Sequence, residues 1–187
     1  MGRDLFDYEI NDMMKEIYLA GGCFWGTQHF LKQINGVIST EVGYANGKVP
    51  NPTYQEVYTD KTGHAETVKV CYDASVIGLD MILDLYFETI DPTSEDQQGP
   101  DIGTRYRTGI YYTDEDDVAT INKVCKKISL QYIQPIVVEV EPLRCFYSAE
   151  EYHQDYLDKN PGGYCHIPRS MFALAKSANR SNDKVFF

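Results

Sequence analysis

One short segment of the chain combines a thiol with two large aromatic side chains. In the segment GGCFWG, residues 21–26, Cys23 precedes Phe24 and Trp25, and Trp25 is the only tryptophan of the 187 residues. Cys23 stands where an apolar run changes into a helical pattern, and the free N–H groups and the dipole at the start of a helix stabilise an anion. We therefore predict that Cys23 is a nucleophile with a lowered pKa. The alternative is a small buried hydrophobic residue; the flanking glycines favour the nucleophile, because they let the backbone come close to a group over the sulfur.

The aromatic pair and four polar side chains are further candidates for the same site. Phe24 and Trp25 have side chains that usually pack in a core, but beside a reactive thiol they also form an apolar wall for a small methyl-bearing group. The polar candidates stand beside glycine or proline in separate segments and are Tyr54 in NPTY, Glu66 in TGHAE, Asp101 in GPD and Tyr106 in TRYR. Taken singly, each of the four is more typical of a surface residue than of a catalyst.

The other four cysteines form no CxxC pair, and the total of five is odd, which fits neither a structural zinc site nor a framework of secreted disulfides. Cys71 and Cys125 lie inside a strand pattern and a helix pattern, so we interpret both as structural. Cys145 lies between two predicted elements, and either role is open to it. Cys165 follows two glycines in an irregular segment, and a thiol on a flexible segment can condense with a sulfenic acid, as a resolving cysteine does. The alternative for Cys165 is an exposed thiol with no role.

Strand and helix patterns alternate along the chain and must position these residues. The apolar patterns predict strands over residues 15–20, 37–45, 66–73, 108–113 and 135–142. Helical patterns cover residues 24–34, 77–90, 115–131 and 148–160, and the capping-box spacing of Ser148 and Glu151 supports the last of them. Loops are predicted over residues 46–57 and 92–104, and an irregular tail from residue 160 onwards. This order predicts an α+β fold, a two-layer α/β sandwich in which helices pack on a mixed sheet.

Length and composition limit the kinds of protein that the chain can be. At 187 residues and 21.4 kDa it suits one domain with an ordinary hydrophobic core. A formal net charge of -11 and a pI near 4.7 argue against nucleic acid or an anionic membrane as a partner, because both attract clustered Lys and Arg. No apolar run approaches the roughly 20 residues that span a bilayer, and the first 22 residues lack the pattern of a secretory signal. We expect a cytoplasmic protein.

Several longer motifs occur in one order along the chain. They are GGCFWG, GVISTEVGYANG, NPTYQEV, TGHAE, DPTS, QGPDIGTRYR and AEEYHQDYL followed by KNPGGYC. Taken together they resemble the A type of peptide methionine sulfoxide reductase from about Glu16 to Ile167, which is most of the chain. The resemblance implies one reductase domain over residues 1–187, with a core of about 16–167 and extensions at 1–14 and 168–187. It also implies that the predicted sandwich is ferredoxin-like.

The reaction of this family implies a role for each candidate residue. The reaction is reduction of the S epimer of methionine sulfoxide, free or in proteins, to methionine, which repairs oxidised proteins. Cys23 corresponds to the nucleophile, which becomes a sulfenic acid, and Glu66 to the acid. Tyr54 and Tyr106 correspond to the hydrogen-bond donors to the sulfoxide oxygen. The residues implied to bind the substrate are Phe24 and Trp25, which hold the methyl group, and Asp101, which lines the pocket.

Turnover requires removal of the sulfenic acid. The resemblance implies that Cys165, in the GYC segment, is the resolving residue and forms a disulfide with Cys23 that thioredoxin or another dithiol reduces. Cys145 stands where many relatives have a residue without a thiol, and it is the alternative partner. Gln28 departs from the motifs, because many members have a glutamate there; glutamine keeps the hydrogen bonds but removes a carboxylate near the helix start. Neither a cofactor nor a metal site is implied.

Two other classes of function stay open. A cysteine hydrolase would use Cys23 with His29, His64 or His153 as the base, but no spacing in the sequence compels such a pairing. A hydrolase releases its product without a reductant, whereas a reductase consumes thiols. The non-enzymatic alternative is an acidic interaction domain with a buried Cys23, which slow alkylation of the thiol would indicate.

Overall fold

The structure, a computed structural model, describes residues 13–178; residues 1–12 and 179–187 of the two predicted extensions lie outside the described part. The strands are β1 (Met14–Gly21), β2 (Val37–Ala45), β3 (Ala65–Asp73), β4 (Gln97–Gln98), β5 (Asp101–Ile102), β6 (Thr108–Tyr112), β7 (Glu139–Pro142) and β8 (Phe146–Ser148). The helices are α1 (Phe24–Leu31), α2 (Tyr54–Tyr58), α3 (Leu79–Phe87), α4 (Val118–Ser129), α5 (Tyr156–Lys159) and α6 (Met171–Ser177).

Six of the strands form one sheet in the order β7-β6-β1-β3-β2-β8, and β4 and β5 form a separate hairpin. Neighbouring strands are antiparallel except β6 and β7, which are parallel. The predicted mixture of helices and a mixed sheet is confirmed. Leu19 near the end of β1 lies opposite Val68 near the start of β3. This register brings Cys23, just after β1, close to Glu66 on β3.

The helices α1, α3 and α4 share one buried apolar cluster with one face of the sheet. Ile17 and Leu19 of β1 belong to this cluster together with apolar residues of the three helices. Helix α4 illustrates the pattern, because Ile121, Val124 and Ile128 are buried at helical spacing while the lysines between them are exposed. A second, smaller cluster covers the opposite face of β1. The sheet and these helices therefore form the rigid support on which the loops at one end are placed.

Two short helices lie where the sequence predicts a loop and an irregular tail. Helix α2 begins after Thr53, whose hydroxyl accepts a hydrogen bond from the N–H of Glu56 while the Glu56 carboxylate accepts one from the N–H of Thr53. Helix α6 packs against α1, with the ring centroids of Phe172 and His29 4.6 Å apart. Caps and tertiary contacts stabilise helices too short to form alone. Within residues 13–178, no helix has the length and apolar character that crossing a membrane requires.

The predicted helix over residues 148–160 is wrong for most of its length. Ser148 lies in β8, which pairs with β2, so its side chain does not cap a helix. One 3₁₀ turn follows at Glu151–His153, and Asp155 then has a φ of 50°, a left-handed conformation that interrupts a right-handed helix. Helix α5 begins only after this residue. Strand pairing outweighs the helical pattern here because it satisfies backbone groups along the edge of β2.

Candidate active site

Cys23 lies at the N-cap position of α1, directly after the end of β1. The turn requires Gly22, whose φ of 81° is in the left-handed region that favours glycine. The side chain of Cys23 is only 6% exposed. Burial raises the pKa of its thiol well above the ordinary value, the charges of Glu66 and Asp101 raise it further, and the N–H of Trp25 lowers it. The predicted lowering of this pKa is therefore wrong, because desolvation of the thiolate outweighs the N–H groups at the helix start.

Glu66 places a carboxyl group beside the start of α1. The residue lies on β3 and is 2% exposed, and its Oε2 accepts a hydrogen bond from the N–H of Phe24 at 3.1 Å. Burial raises the pKa of Glu66 to about 8, while the Phe24 N–H and the charge of Arg105 lower it. At pH 7 the carboxyl group is therefore mostly protonated and can donate a proton.

Two phenols come from separate loops at the same end of the sheet. Tyr54 is the first residue of α2, and its backbone N–H donates to Oε1 of Glu150 at 2.8 Å. Tyr106 is the buried last residue of a 3₁₀ turn. Burial raises the pKa of both hydroxyls, and the charges of Glu66 and Cys23 raise them further. Both phenols therefore stay protonated and can donate hydrogen bonds, and both lie within electrostatic reach of the Cys23 thiol.

Arg105 supports one of these phenols, and the sequence patterns gave it no role. Its guanidinium carbon lies 4.3 Å from the ring centroids of both Tyr58 and Tyr106. Its Nη1 donates to Oδ2 of Asp60 at 2.6 Å, and its backbone N–H donates to Oδ1 at 3.0 Å. Because the Arg105 side chain is only 8% exposed, Asp60 neutralises a buried charge. Because Arg105 and Asp60 come from separate segments of the chain, no local sequence pattern predicts that they pair.

Asp60→Ala leaves the Arg105 guanidinium buried without its carboxylate. We expect the free energy of unfolding to fall by about 3 kcal/mol, because a buried charge that loses its partner is poorly solvated. Urea unfolding followed by circular dichroism measures the change. The matched control is Glu151→Ala, which removes an exposed pair with Lys159 and should cost almost nothing. Equal losses in the two variants would contradict the role of the buried pair.

The aromatic pair divides between the core and the site. Phe24 is buried against Tyr44, with ring centroids 5.9 Å apart. Trp25 is half-buried, stacks on Tyr156 with ring centroids 3.7 Å apart, and donates from Nε1 to Nδ1 of His153 at 3.0 Å. Burial lowers the pKa of His153, so its ring is neutral and accepts this bond. The stacking and the hydrogen bond together fix the plane of the indole. Both partners belong to the motif AEEYHQDYL; the sequence suggested His153 only as the base of a hydrolase and gave Tyr156 no role.

Asp101 faces several groups of the site from the β4–β5 hairpin. Its Oδ2 accepts a hydrogen bond from the hydroxyl of Tyr164 at 2.9 Å. The charge of Asp101 raises the pKa of Cys23, Glu66 and Cys165, so it lies within electrostatic reach of all three. The predicted pocket residue is therefore near the thiols, and its charge favours the protonated forms of its neighbours.

The two candidates for a resolving cysteine differ in position. Cys165 is half-buried, its Sγ donates to the carbonyl of Ile167 at 3.3 Å, and it raises the pKa of Cys23. The Sγ of Cys145 instead lies 3.7 Å from the carbonyl oxygen of Gly47, in the segment between β7 and β8. All five cysteines are free thiols. Cys165 therefore lies within electrostatic reach of the Cys23 thiol.

Gln28, the departure from the motifs, is buried on α1 and uses both ends of its amide. Its Nε2 donates to Oγ1 of Thr40 at 3.3 Å, and its Oε1 accepts from the N–H of Asp155 at 2.9 Å. The same Nε2 lies 3.5 Å from the carbonyl oxygen of Thr40, which only accepts, so an ionised glutamate could bond to the Thr40 hydroxyl but not to this carbonyl. Gln28 therefore anchors the left-handed turn before α5, which carries the stacking partner of the indole.

The histidines considered as bases for a hydrolase contact other groups. Nδ1 of His29 lies 3.2 Å from Asp158, the ring of His64 bonds to backbone groups of the loop before α2, and His153 accepts from the indole. The geometry gives the hydrolase alternative no support. Among the residues that the structure describes, no group of three or more His, Cys, Asp or Glu side chains is placed to hold a metal ion.

The site combines a buried thiol with protonated oxygen donors in apolar surroundings. The predicted residues that gather at this end of the sheet are Cys23, Phe24, Trp25, Tyr54, Glu66, Asp101, Tyr106 and Cys165. A thiol in this setting attacks a soft atom, and the carboxyl group and the phenols stabilise charge on an oxygen bonded to that atom. The nearby carboxylates disfavour an anionic substrate.

Comparison with known proteins places the chain beside one group of enzymes. Residues 15–185 match the family model described as "Peptide methionine sulfoxide reductase". The chain is 55% identical over 166 residues to "Peptide methionine sulfoxide reductase MsrA" of Lachnoclostridium phytofermentans, covering 89% of this chain and 100% of that protein. Mxr1 from Saccharomyces cerevisiae in reduced form is 40% identical with a TM-score of 0.78, covering 82% of this chain and 90% of that one. Mxr1 in complex with Trx2 is 25% identical with a TM-score of 0.56, covering 83% and 89%.

Proposed function

The chain belongs to the peptide methionine sulfoxide reductase family, and we propose that Cys23, Glu66, Tyr54 and Tyr106 carry out its chemistry. It is an oxidoreductase that reduces methionine sulfoxide with electrons from thiols. The substrate that we assign is the S epimer, free or within proteins. The observation that carries this assignment of roles is the buried, protonated carboxyl group of Glu66, held beside the Cys23 N-cap by its bond to the Phe24 N–H.

The substrate binds with its methyl group against the aromatic pair. Trp25 presents a flat apolar wall, because stacking on Tyr156 and the bond to His153 prevent its rotation. Phe24 supports this wall from the core. The sulfoxide oxygen then points to the opposite side, where it accepts hydrogen bonds from Tyr54 and Tyr106.

The first chemical step transfers the oxygen from the substrate to the enzyme. Glu66 donates its proton to the sulfoxide oxygen, which makes the substrate sulfur electrophilic. The sulfur of Cys23 attacks it, and the proton of the thiol restores Glu66. The hydroxyl group then passes from the substrate sulfur to the Cys23 sulfur. The S–O bond of the substrate and the S–S bond formed by the attack both break, an S–O bond forms on Cys23, and methionine leaves, so that Cys23 is now a sulfenic acid. The substrate sulfur gains two electrons and the Cys23 sulfur loses two.

The second step converts the sulfenic acid into a disulfide. Cys165 attacks the sulfur of Cys23, water leaves, and a Cys23–Cys165 disulfide forms. Thioredoxin or another dithiol then supplies two electrons and restores both thiols. The complex of Mxr1 with Trx2 supports this class of reductant.

We also propose a fold type, a domain extent and a cellular location for the chain. The order β6-β1-β3-β2 within the sheet, with antiparallel neighbours and with α1 and α3 as crossovers, supports a ferredoxin-like sandwich. We assign residues 1–187 to a single reductase domain with a core of about 16–167. We also assign the enzyme to the cytoplasm, where thioredoxin-type reductants keep thiols reduced.

Cys165→Ser separates the two steps. With thioredoxin as reductant, we expect one methionine per enzyme from the S epimer and then very slow turnover, because the sulfenic acid forms but has no internal thiol to resolve it. The parent should turn over repeatedly. Methionine is counted by chromatography after rapid quenching.

Cys145→Ser is the matched control and should turn over like the parent. If Cys145→Ser instead stops after one methionine while Cys165→Ser continues, Cys145 is the resolving residue. If the parent forms no methionine from either epimer, the proposed function is wrong.

A further inference from the structure

The dipeptide Cys165-His166 rests on three glycines around the nucleophile. A Cβ atom added at Gly26 would lie 2.8 Å from Sγ of Cys165 and 3.4 Å from Nδ1 of His166. A Cβ at Gly22 would lie 3.2 Å from Nε2 of His166, and one at Gly99 would lie 4.0 Å from its Cβ. The thiol and the imidazole therefore border the same small space over the first turn of α1.

The hydrogen bond of His166 fixes which of its nitrogens carries the proton. Its Nε2 lies 3.0 Å from the carbonyl oxygen of Gly21. A carbonyl oxygen only accepts, so Nε2 carries the hydrogen and Nδ1 has a free lone pair. Nδ1 is buried and has no hydrogen-bond partner within residues 13–178. The chain thus holds an unused proton acceptor beside the Cys165 thiol.

We propose that His166 is the base that takes the proton of the Cys165 thiol when the disulfide forms. The proposal rests on the proposed function, since it concerns the second step of that reaction. Nδ1 removes the proton directly or through one water. The Cys165 thiolate then attacks the sulfur of the Cys23 sulfenic acid and the S–O bond breaks. The departing hydroxide takes up the proton from the imidazolium and leaves as water, so no other reactant is needed.

The charges around the pair agree with this direction of proton transfer. Burial raises the pKa of the Cys165 thiol, and Arg169 opposes this, so at neutral pH the thiol needs a base. Burial lowers the pKa of His166, and the charge of Asp101 opposes this, so the ring is neutral. The other titratable groups that face the pair are Cys23 and Tyr164 and, across a cavity that borders Cys165, His29 and Asp158. A neutral imidazole beside a protonated thiol is the required starting state.

His166→Gln removes the proposed base but keeps the hydrogen bond that holds the segment against Gly21. The glutamine amide can still donate to the carbonyl of Gly21, but it cannot accept a proton. Reduced enzyme is mixed with methionine sulfoxide without reductant, and methionine release and loss of two thiols are followed separately. At pH 7 we expect unchanged methionine release and disulfide formation slowed by about 100-fold, the scale of general base catalysis. In the variant, this rate should rise steadily towards alkaline pH, whereas in the parent it is level above the lowered pKa of His166.

His29→Gln is the matched control, because His29 borders a cavity on the other side of Cys165. It should leave both rates unchanged. Disulfide formation by His166→Gln at the parent rate overturns the proposal. A slower rate that keeps the pH profile of the parent also overturns the proposal, because it would mean that His166 only holds the Cys165 segment in place. Absence of methionine from the parent is a different result, which overturns the proposed function itself.

Gly26→Ala provides a second test that leaves the imidazole in place. The new Cβ enters the space shared by the thiol and Nδ1, while alanine favours the helix more than glycine does. The Cys165 sulfur, 2.8 Å from the new Cβ, must shift, so we expect slower disulfide formation. The methionine burst and the thermal unfolding temperature are measured alongside and show whether the first step or the fold is also affected. If this variant forms the disulfide at the parent rate, the proton does not pass through the space between the Cys165 sulfur and Nδ1 of His166.

Discussion

We expect Cys23→Ser to form no detectable methionine from methionine sulfoxide, a loss of about 10⁵-fold or more, the scale on which removal of a covalent nucleophile acts. The hydroxyl of serine is far less nucleophilic than a thiol and cannot be oxidised to the sulfenic acid that carries the oxygen. Methionine formation with excess dithiol measures the loss, since an excess of reductant removes resolution as a limit.

The matched control is Cys71→Ser, which changes a half-buried thiol on β3 away from the site. It should keep the parent rate. Iodoacetamide labelling gives an independent check, because the buried Cys23 thiol with its raised pKa should react slowly in the free enzyme. Slow labelling together with full activity distinguishes a nucleophile that substrate activates from a thiolate that is permanently exposed. Turnover by Cys23→Ser at a substantial fraction of the parent rate would exclude Cys23 as the nucleophile.

The sequence predicts the main strands of the sheet well, but it predicts the pKa of the Cys23 thiol poorly. The strand over residues 37–45 has the predicted bounds, because β-branched and aromatic residues favour strands in a local and readable way. The pKa of Cys23 depends on how completely the loops cover it, which no local pattern states. The position of Cys23 at a helix start suggested a lowered pKa, whereas burial of the thiol, reinforced by the charges of Glu66 and Asp101, raises it.

The end of the chain shows a second limit of local patterns. Ser148 and Glu151 have the spacing of a capping box, yet a box of this type forms instead at Thr53 and Glu56. The difference is that the edge of β2 captures the segment ending at Ser148 as a strand. Competition between a helix and a sheet edge is decided by tertiary contacts, which the sequence pattern does not contain.

The candidate site was found largely through motifs, and its supporting residues were not. Arg105 packs on the ring of Tyr106 and is held by Asp60, which is 45 residues away in the sequence, and His153 holds the indole of Trp25 from 128 residues away. Each is buried and charged or polar, and such residues need partners inside the protein. Their importance follows from burial, which only the folded structure supplies.

Glu66→Gln combines the loss of an acid with a gain of stability. The glutamine oxygen can still accept from the N–H of Phe24, but the side chain cannot give a proton to the sulfoxide. We expect kcat/KM at pH 7 to fall by about 100-fold or more, which is the usual contribution of a positioned acid. In the parent, kcat/KM should fall as pH rises through about 8, where Glu66 ionises, and this fall should be absent in the variant. Glu41→Gln, on β2, is the matched control and should behave like the parent.

We expect Glu66→Gln to raise the free energy of unfolding at alkaline pH while it lowers activity. This opposite change identifies the protonation of Glu66 as the cause of both effects. The pKa of Glu66 is about 8 in the folded protein, above its value of 4.5 when unfolded, so the folded state binds the proton more tightly. Its contribution to stability is complete below pH 4.5 and is lost as pH rises through about 8. Above that pH we expect Glu66→Gln to exceed the parent in free energy of unfolding by a few kcal/mol, measured with urea at pH 9. Lower activity with no such gain in stability would mean that Glu66 is ionised in the free enzyme and does not act as the acid.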